Sequence, residues 1–418
     1  MELQKFSAIL LLLDWVYRSI VAHSLSGVRI IELGQIIAGT YGGQILSDLG
    51  AEVIKVESPK GDLGRNPSVA PYKGESGLFL TFNRNKKSIV IDLKNPQGRL
   101  LFLDLVRNAD VVVDNFRSGV MSRLGIDYEE LKKVNPKIIH CSITGFGPEG
   151  EYKDYPALDI IIQAISGHMA ITGEKDRPPV RLGIPLADLS GGLFSSQGIL
   201  AALYEREKTG QGQHIDLSMF DAMLSLLTYL GTMWLNNKEL PSPPGSSHEY
   251  TVPWQAFKTK DSYIVVAARE EIHWKNFCRS IGLEALAVDP RYISNFLRVE
   301  NRSTLVPLLE NRMSQETTSH WMHIFTNEDV PASPVNHFDQ AFAEPPVVQN
   351  NAVVEYEHPV VGTVKMPAYP VKMGNADQLK STPAPDLGEH TIEVLKNVLN
   401  LTDENIKNFI NSGVVLSK

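Results

Sequence analysis

The chain has 418 residues, of which 43% are hydrophobic and 21% charged; these values are ordinary for a globular protein of two domains and exclude global disorder. Its formal net charge of −8 argues against a general nucleic-acid binder, so an anionic ligand requires a local cluster of lysine and arginine. The two cysteines, Cys141 and Cys278, exclude a disulfide framework and a cysteine-based metal site, and a reducing cytoplasm is the expected compartment.

Residues 1–24 are predicted to form an N-terminal extension. The apolar run at residues 9–13 is too short to span a bilayer, since Asp14 and Arg18 interrupt it, and no clear cleavage pattern follows. We therefore expect either an amphipathic helix there or an extension of uncertain start, and no association with a membrane. The expected location is cytoplasmic, or the mitochondrial matrix if the source is eukaryotic.

An α/β fold is predicted from the alternation of strand-like and helix-like segments. Residues 28–33 and 51–57 have β-branched strand character, and a glycine-containing turn and a helical stretch separate them. This βαβ unit predicts an open parallel sheet with helices on both faces. A linker rich in Pro and Ser lies at residues 240–247, and a second, smaller domain follows it. Further strands are predicted at residues 88–93, 110–114, 138–143 and 263–267.

The first βαβ unit lacks the spacing of a nicotinamide-binding fingerprint. Gly34, Gly39, Gly42 and Gly43 do not follow GxGxxG, although Glu57 stands where a ribose-binding acid would lie. The turn either presents backbone N–H groups to a phosphate or carboxylate at a helix N-terminus, or is a plain strand-to-helix turn.

Basic residues lie near several predicted strands. The segment at residues 83–88 directly precedes a strand, and Arg117 and Arg123 follow the strand that ends at Asp114. Ligands bind at the carboxyl ends of strands in open α/β sheets, so these cations either bind a polyphosphate or form a solvated charge run.

Two acids, Asp159 and Asp188, lie between apolar and small residues, where partial burial is expected. A buried carboxylate must be hydrogen-bonded or protonated, but aspartate before an apolar helix is also a common N-cap, and both interpretations stay open. The sequence contains neither a GxSxG nor an HExxH motif, and we expect no metal site.

Nine short segments resemble segments of the class III CoA-transferases and occur in the same order as in that family. The family includes formyl-CoA transferase, carnitine CoA-transferase and α-methylacyl-CoA racemase. The resemblance covers about residues 25–395 and includes the segment around Asp188. The segments are LSGVRIIEL at 25–33, DLGAEVIKVE at 48–57, NRNKKSI at 83–89, NFRSG at 115–119, RLG at 123–125, TGFG at 144–147, TGQGQ at 209–213, VPASPV at 330–335 and LGEHT at 387–391.

The resemblance implies both an architecture and an activity. A Rossmann-like large domain at residues 25–235 is completed by 341–418, with a linker or lid at 236–253 and a small α/β domain at 254–340. Two chains are expected to form a homodimer of interlocked rings. The implied activity is a CoA-transferase that moves CoA from an acyl-CoA donor to a free carboxylic acid, with a dicarboxylate such as succinate on one side. Acyl-CoA and small acids are then substrates, and no cofactor is held permanently.

The same resemblance implies roles for individual residues. Asp188 is the expected nucleophile, which forms a mixed anhydride and then an aspartyl-CoA thioester, and Asp159 either supports it or caps a helix. Gly191, Gly192 and Gly245 are expected as oxyanion donors or a lid. CoA is expected to bind Asn115, Arg117, Arg123, Lys94, Lys86, Lys87, Arg65 and Ile91, with Lys55 as a further candidate.

Departures from the family pattern narrow these expectations. Formyl-CoA transferases carry Gln where this chain has Ile37 and Arg where it has Ser58, so formate and oxalate are not implied as its specific acids. The racemase branch is the nearest alternative, but its proton-exchanging His corresponds to Leu158, which cannot exchange a proton. A nicotinamide oxidoreductase and a non-catalytic CoA-binding scaffold are the remaining alternatives.

Overall fold

The computed structural model describes residues 23–373 and 381–418. Residues 1–22 of the predicted N-terminal extension, with the expected helix, therefore lie outside the described residues. The chain divides into two compact units. The first contains residues up to 166, 182–236 and 348–418, and the second contains 167–181 and 237–347. The second unit includes residues 167–181, which the sequence did not assign to the smaller domain.

Helices and strands alternate through the first part of the chain, as predicted. They are β1 (Arg29–Glu32), α1 (Ala38–Asp48), β2 (Glu52–Glu57), β3 (Pro71–Tyr72), β4 (Glu75–Ser76), α2 (Gly77–Phe82), β5 (Lys86–Ile91), α3 (Pro96–Arg107), β6 (Val111–Asp114), α4 (Val120–Leu124), α5 (Tyr128–Val134), β7 (Ile139–Thr144), α6 (Asp159–Ile165), α7 (His168–Ile171), α8 (Leu186–Thr209), β8 (His214–Ser218), α9 (Met219–Leu226) and α10 (Thr228–Asn237).

The second part of the chain is richer in helices. Its elements are β9 (Trp254–Lys258), β10 (Tyr263–Ala267), α11 (Glu271–Ser280), α12 (Asn295–Glu300), α13 (Arg302–Met313), α14 (Thr318–Asn327), β11 (Ala332–Pro334), α15 (Phe338–Ala341), α16 (Pro345–Gln349), β12 (Val353–His358), β13 (Gly362–Pro367), α17 (Thr391–Asn397), α18 (Asp403–Asn411) and β14 (Val415–Leu416).

A seven-stranded sheet forms the centre of the first unit, in the order β14-β5-β2-β1-β6-β7-β8. The six strands from β5 to β8 in this order are parallel, which confirms the predicted α/β class. Only the edge strand β14 is antiparallel, with Val415 opposite Ile91. It is too short to be recognised from its sequence.

The central strands have apolar cores because helices cover both faces of the sheet, as in the Val-rich β6 and the Ile89–Ile91 end of β5. Successive side chains alternate between two hydrophobic clusters. Ile31 and Ile54 face the cluster that contains α3, α17 and α18. Ile30 and Val53 face the cluster that contains α1 and α8. The pairing of α8 with α1 on this second face fixes the position of the start of α8.

The second unit has its own core. Its three strands form an antiparallel sheet in the order β11-β10-β9. The core beside it contains Trp274, Phe277 and Trp321, and all three side chains are fully buried. Across the described parts of both units, no helix has the length and apolar character required to cross a membrane.

Candidate active site

The strand order of the large sheet changes direction at β1 and β6, and the loops after these two paired strands leave an opening at the carboxyl edge. From β1 the chain moves outward through β2 and β5 on one side, and later through β6, β7 and β8 on the other. The loops after β1 and β6 therefore diverge at the carboxyl edge, which is the usual ligand position in open α/β sheets. A cleft of about 480 Å³ lies there, and we call it the Asp188 cleft. Its lining includes Ile36, Ala38, Leu63, Asn115, Arg117, Lys153, Leu158, Asp159 and Asp188.

Asp188 lies in the first turn of α8 and faces the cleft. Within the described chain, no group donates a hydrogen bond to its carboxylate, which is largely withdrawn from water. This burial, with a smaller contribution from the negative charge of Asp159, raises the pKa of Asp188 to about 7. A poorly solvated carboxylate with a raised pKa is a stronger nucleophile than an ordinary exposed one, and such perturbed groups are concentrated at functional sites.

Asp159 holds the start of the helix that carries Asp188. Its Oδ1 accepts a hydrogen bond from the Ala187 N–H at 2.8 Å, and its Oδ2 accepts one from Nε2 of Gln163 at 2.7 Å. Gln163 in turn accepts the Leu182 N–H at 3.0 Å, so the segment leading into α8 is tied to α6. Asp159 thus caps a helix, but the helix is α8 rather than its own. Both its charge and its hydrogen bonds act on Asp188.

The start of α1 offers free backbone N–H groups to the cleft. Ile37 precedes this helix without a side-chain cap, and the Tyr41 N–H donates to the Ile37 carbonyl at 2.7 Å. In the described part of the chain, the N–H groups of Ala38 and Gly39 have no partner, and Ala38 lines the cleft. Such groups at a helix N-terminus can stabilise a developing oxyanion.

Side chains from neighbouring strands hold the loop after β1 in place. Asn115 spans the opening, since its Oδ1 accepts the Gln35 N–H at 2.8 Å and its Nδ2 donates to the Gln35 carbonyl at 2.9 Å. The buried ammonium of Lys55 donates to the Gly34 carbonyl at 2.6 Å and pairs with Asp62 at 2.8 Å. Asn115 and Lys55, both expected to contact CoA, are engaged here in positioning this loop.

Gly191 and Gly192 have a packing role instead of the expected oxyanion role. They lie beyond the first turn of α8, where backbone N–H groups are used within the helix. A Cβ on Gly192 would lie 2.8 Å from Cδ1 of Tyr41 and 3.1 Å from the Gly42 nitrogen. Gly192 therefore allows α8 to approach α1 closely, whereas a Cβ on Gly191 would meet nothing nearer than 3.4 Å, and Asp188 and Ala38 line the same cleft.

Two of the residues expected to bind CoA lie in the interior. Lys86 is fully buried, and its ammonium pairs with Glu32 at 2.7 Å and donates to the Thr40 carbonyl at 2.8 Å. Burial lowers the pKa of Lys86 to about 8, although Glu32 opposes the shift. Ile91 is a fully buried core residue of β5. Neither side chain is exposed to a ligand in this structure, because the two lie on opposite faces of β5 and helices cover both faces of the sheet.

Two other expected phosphate partners are already paired with acids. Lys87 lies between Glu52 and Glu393, at 2.9 and 2.8 Å. The Arg65 guanidinium forms two hydrogen bonds with the Glu57 carboxylate, each of 2.7 Å. Both cations would have to exchange these partners before they could bind a phosphate.

Three of the expected cations remain available. Arg117 is exposed and lines the cleft, and no acid in the described chain pairs with it. Arg123 and Lys94 are also exposed, but they lie outside the cleft lining. Gly245 belongs to the second unit, where its N–H donates to the Gly173 carbonyl at 2.7 Å. Its role as part of a lid stays a prediction.

The loop before Asp159 contributes residues that the sequence analysis missed. Lys153 and Tyr155 line the cleft on the loop that follows β7. The sequence does give one indication that such residues belong to a site, because this loop, like the one carrying Arg117, follows the carboxyl end of a parallel strand. Leu158 also lines the cleft, with 65% of its surface exposed. The residue in the position of the racemase histidine therefore reaches the cleft but carries no base.

The fold and the Asp188 cleft define an α/β enzyme with a site suited to an anionic acyl compound. Among the described residues, no group of His, Cys, Asp or Glu is arranged to hold a metal ion.

Comparisons with known proteins agree with this class. The sequence profile of CoA-transferase family III matches residues 25–391. The chain belongs to this family, and it is a CoA-transferase. It is 38% identical to human succinyl-CoA:glutarate CoA-transferase, over 94% of this chain and 90% of that protein. It is 41% identical to acetyl-CoA:oxalate CoA-transferase of Acetobacter aceti, over 87% and 92%. The crystal structure of a CAIB/BAIF family protein from Brucella suis superposes with a TM-score of 0.81 at 36% identity, covering 90% of this chain and 99% of that one.

Proposed function

We propose that the enzyme moves CoA from an acyl-CoA donor to a free dicarboxylic acid, with succinate or its CoA thioester on one side of the reaction. The names of two relatives support dicarboxylate substrates, namely succinyl-CoA with glutarate and acetyl-CoA with oxalate. The observation that carries the proposal is the Asp188 carboxylate, which faces the cleft with a pKa raised to about 7.

The reaction proceeds through covalent intermediates on Asp188. A carboxylate oxygen attacks the donor thioester carbonyl, the C–S bond breaks, and CoA thiolate leaves a mixed anhydride. The thiolate then attacks the Asp188 carbonyl carbon, which releases the donor acid and leaves an aspartyl-CoA thioester. The acceptor carboxylate attacks this thioester and the two steps run in reverse, so that Asp188 is regenerated. The energy of the thioester is conserved throughout, so neither ATP nor a metal is required.

Backbone groups of the cleft have one role in these steps, and Arg117 of the cleft lining, with Arg123 outside it, has another. Each attack creates an oxyanion, and the N–H groups of Ala38 and Gly39, which have no partner in the described chain, stabilise it. Arg117 and Arg123 bind phosphates of CoA, since guanidinium groups bind phosphate oxygens in pairs. CoA is a substrate and not a resident cofactor. The enzyme acts as a homodimer of interlocked chains, which mass measurement by light scattering would check.

The covalent step has a direct test. The protein is incubated with succinyl-CoA, treated with hydroxylamine and digested, and we expect an aspartyl hydroxamate in the peptide that contains Asp188. Protein without succinyl-CoA and the Asp188→Ala variant are the controls. A hydroxamate on another residue, or full transferase activity in Asp188→Ala, contradicts the mechanism. Exchange of the substrate α-proton in D₂O without CoA transfer would instead favour the racemase reaction.

A further inference from the structure

The loop between β7 and α6 is held in place by contacts within the first unit. Its two ends approach so closely that a Cβ on Gly145 would overlap the Ala157 side chain. Inside the loop, the ring of Phe146 packs against Tyr152 at 5.4 Å and against Phe220 of α9 at 5.8 Å. Lys153 therefore projects from an ordered loop whose aromatic residues are anchored on a neighbouring helix.

Lys153 and Arg117 lie on two loops that contact each other. The Ser118 hydroxyl, beside Arg117, donates to the Gly147 carbonyl in the loop of Lys153 at 3.3 Å. Both cations line the Asp188 cleft, and within the described chain neither forms an ion pair with an acid. Two unpaired cations at one cleft, in a protein of net charge −8, indicate a ligand with more than one anionic group.

The chain connections assign different ligand groups to the two cations. Arg117 is followed closely by Arg123 in α4, so the two guanidinium groups belong to one segment and suit the phosphates of CoA. Lys153 instead lies on the segment that runs directly to Asp159, and Asp159 holds the N–H of the residue before Asp188. Lys153 therefore shares a chain segment with the residue that holds the start of α8, the helix that carries Asp188.

We propose that Lys153 binds the distal carboxylate of a dicarboxylic substrate whose other carboxylate reacts at Asp188, and so determines specificity. This proposal rests on the proposed function. The exposed apolar side chain of Leu158 contacts the methylene chain between the two carboxylates. A lysine ammonium is a point charge on a flexible stem, so the site accepts dicarboxylates of more than one length.

Matched acceptors test the proposal with succinyl-CoA held at saturation. Glutarate and its monoamide, glutaramate, have nearly the same shape, and only glutarate carries a distal charge. In the wild-type enzyme we expect a lower KM for glutarate. In Lys153→Met the KM for glutarate should rise about 10- to 100-fold, the effect of losing one hydrogen bond between charged groups, while that for glutaramate changes little. Lys153→Arg should retain part of the preference.

Inhibition by free CoA distinguishes the role of Lys153 from that of Arg117. The inhibition constant of CoA should be unchanged in Lys153→Met and raised in Arg117→Met. Equal losses with glutarate and glutaramate, a raised CoA inhibition constant in Lys153→Met, or no wild-type preference for glutarate would each overturn the role of Lys153. Failure of the proposed function looks different, because the wild-type enzyme would then form no hydroxamate and transfer no CoA to either acid.

Discussion

The raised pKa of Asp188 means that folding opposes ionisation of this carboxylate, so Asp188→Asn should stabilise the protein as it abolishes transfer. The folded-state pKa of about 7 lies above the ordinary value of 3.8, so wild-type stability is lost as the pH rises between these values. Asparagine is neutral throughout. The variant should therefore be more stable by about 2 kcal/mol at pH 5 and about 4 kcal/mol at pH 8. Because Asp188 is partly exposed, solvent screening should bring the measured differences below these values.

Urea unfolding of both proteins between pH 5 and 8 measures this difference. Glu207→Gln is the matched control, since Glu207 is an exposed acid on the same helix, α8. The control should show no comparable gain in the free energy of unfolding. The reasoning is refuted if Asp188→Asn is less stable than the wild type, or if its advantage does not widen as the pH rises.

Three further predictions follow from the same contacts. The kcat/KM for acyl-CoA should rise with pH to a plateau with a midpoint near 7, as the nucleophile ionises, and a flat profile from pH 5 to 8 would contradict this. Gly192→Ala should lower the free energy of unfolding of the protein by about 1–3 kcal/mol, because the new Cβ would lie 2.8 Å from Cδ1 of Tyr41. Gly198→Ala on the same helix is the control. Its Cβ would meet nothing closer than 3.4 Å, so it should cause no loss of stability in the same unfolding assay. Lys86→Met should destabilise the protein by about 1–3 kcal/mol, because the buried Glu32 carboxylate loses one of its lysine partners and keeps Lys55 at 3.1 Å. Lys87→Met should destabilise it by less than about 1 kcal/mol, and a raised KM for acyl-CoA in the Lys86 variant would show that this lysine binds substrate after all.

The parallel sheet is predictable because its signal is local. Each strand is a short β-branched run between turn residues, and the intervening helices leave room only for parallel connections. The edge strand β14 is not predictable, since Val415 and Leu416 form a strand only by pairing with β5. Residues 167–181 were likewise not assigned to the second unit, because long-range contacts and not local composition place them there.

The candidate site is less predictable, because residues distant in sequence determine which of its charged side chains are buried, paired or exposed. Lys86 and Lys87 are adjacent, yet strand alternation buries the first against Glu32 and leaves the second beside Glu52. A basic run read along the chain cannot show this difference. Lys153 presents the opposite case, since nothing in its local sequence separates it from other exposed lysines. Only the sheet topology places it at the same cleft as Asp188.

Asp159 combines two effects on the nucleophile that substitution can separate. Asp159→Asn keeps an oxygen that accepts the Ala187 N–H, but it removes the acceptor of Gln163 Nε2 and the negative charge that helps to raise the pKa of Asp188. The midpoint of the pH–rate profile should therefore move to lower pH, with most of kcat retained above it. Asp159→Ala removes the charge and the cap together, so the same downward shift should be accompanied by a lower kcat and a loss of about 1 kcal/mol of stability.

The two variants are compared by measuring kcat and kcat/KM for succinyl-CoA from pH 5 to 8. If both variants shift the midpoint equally and only Asp159→Ala loses kcat, charge sets the ionisation of Asp188 and the hydrogen bond sets its position. If Asp159→Asn leaves the midpoint unchanged, burial alone raises the pKa of Asp188 and the neighbouring charge has no part in it. In that case Asp159 acts only as the cap of α8, which is one of the two interpretations that its sequence context left open.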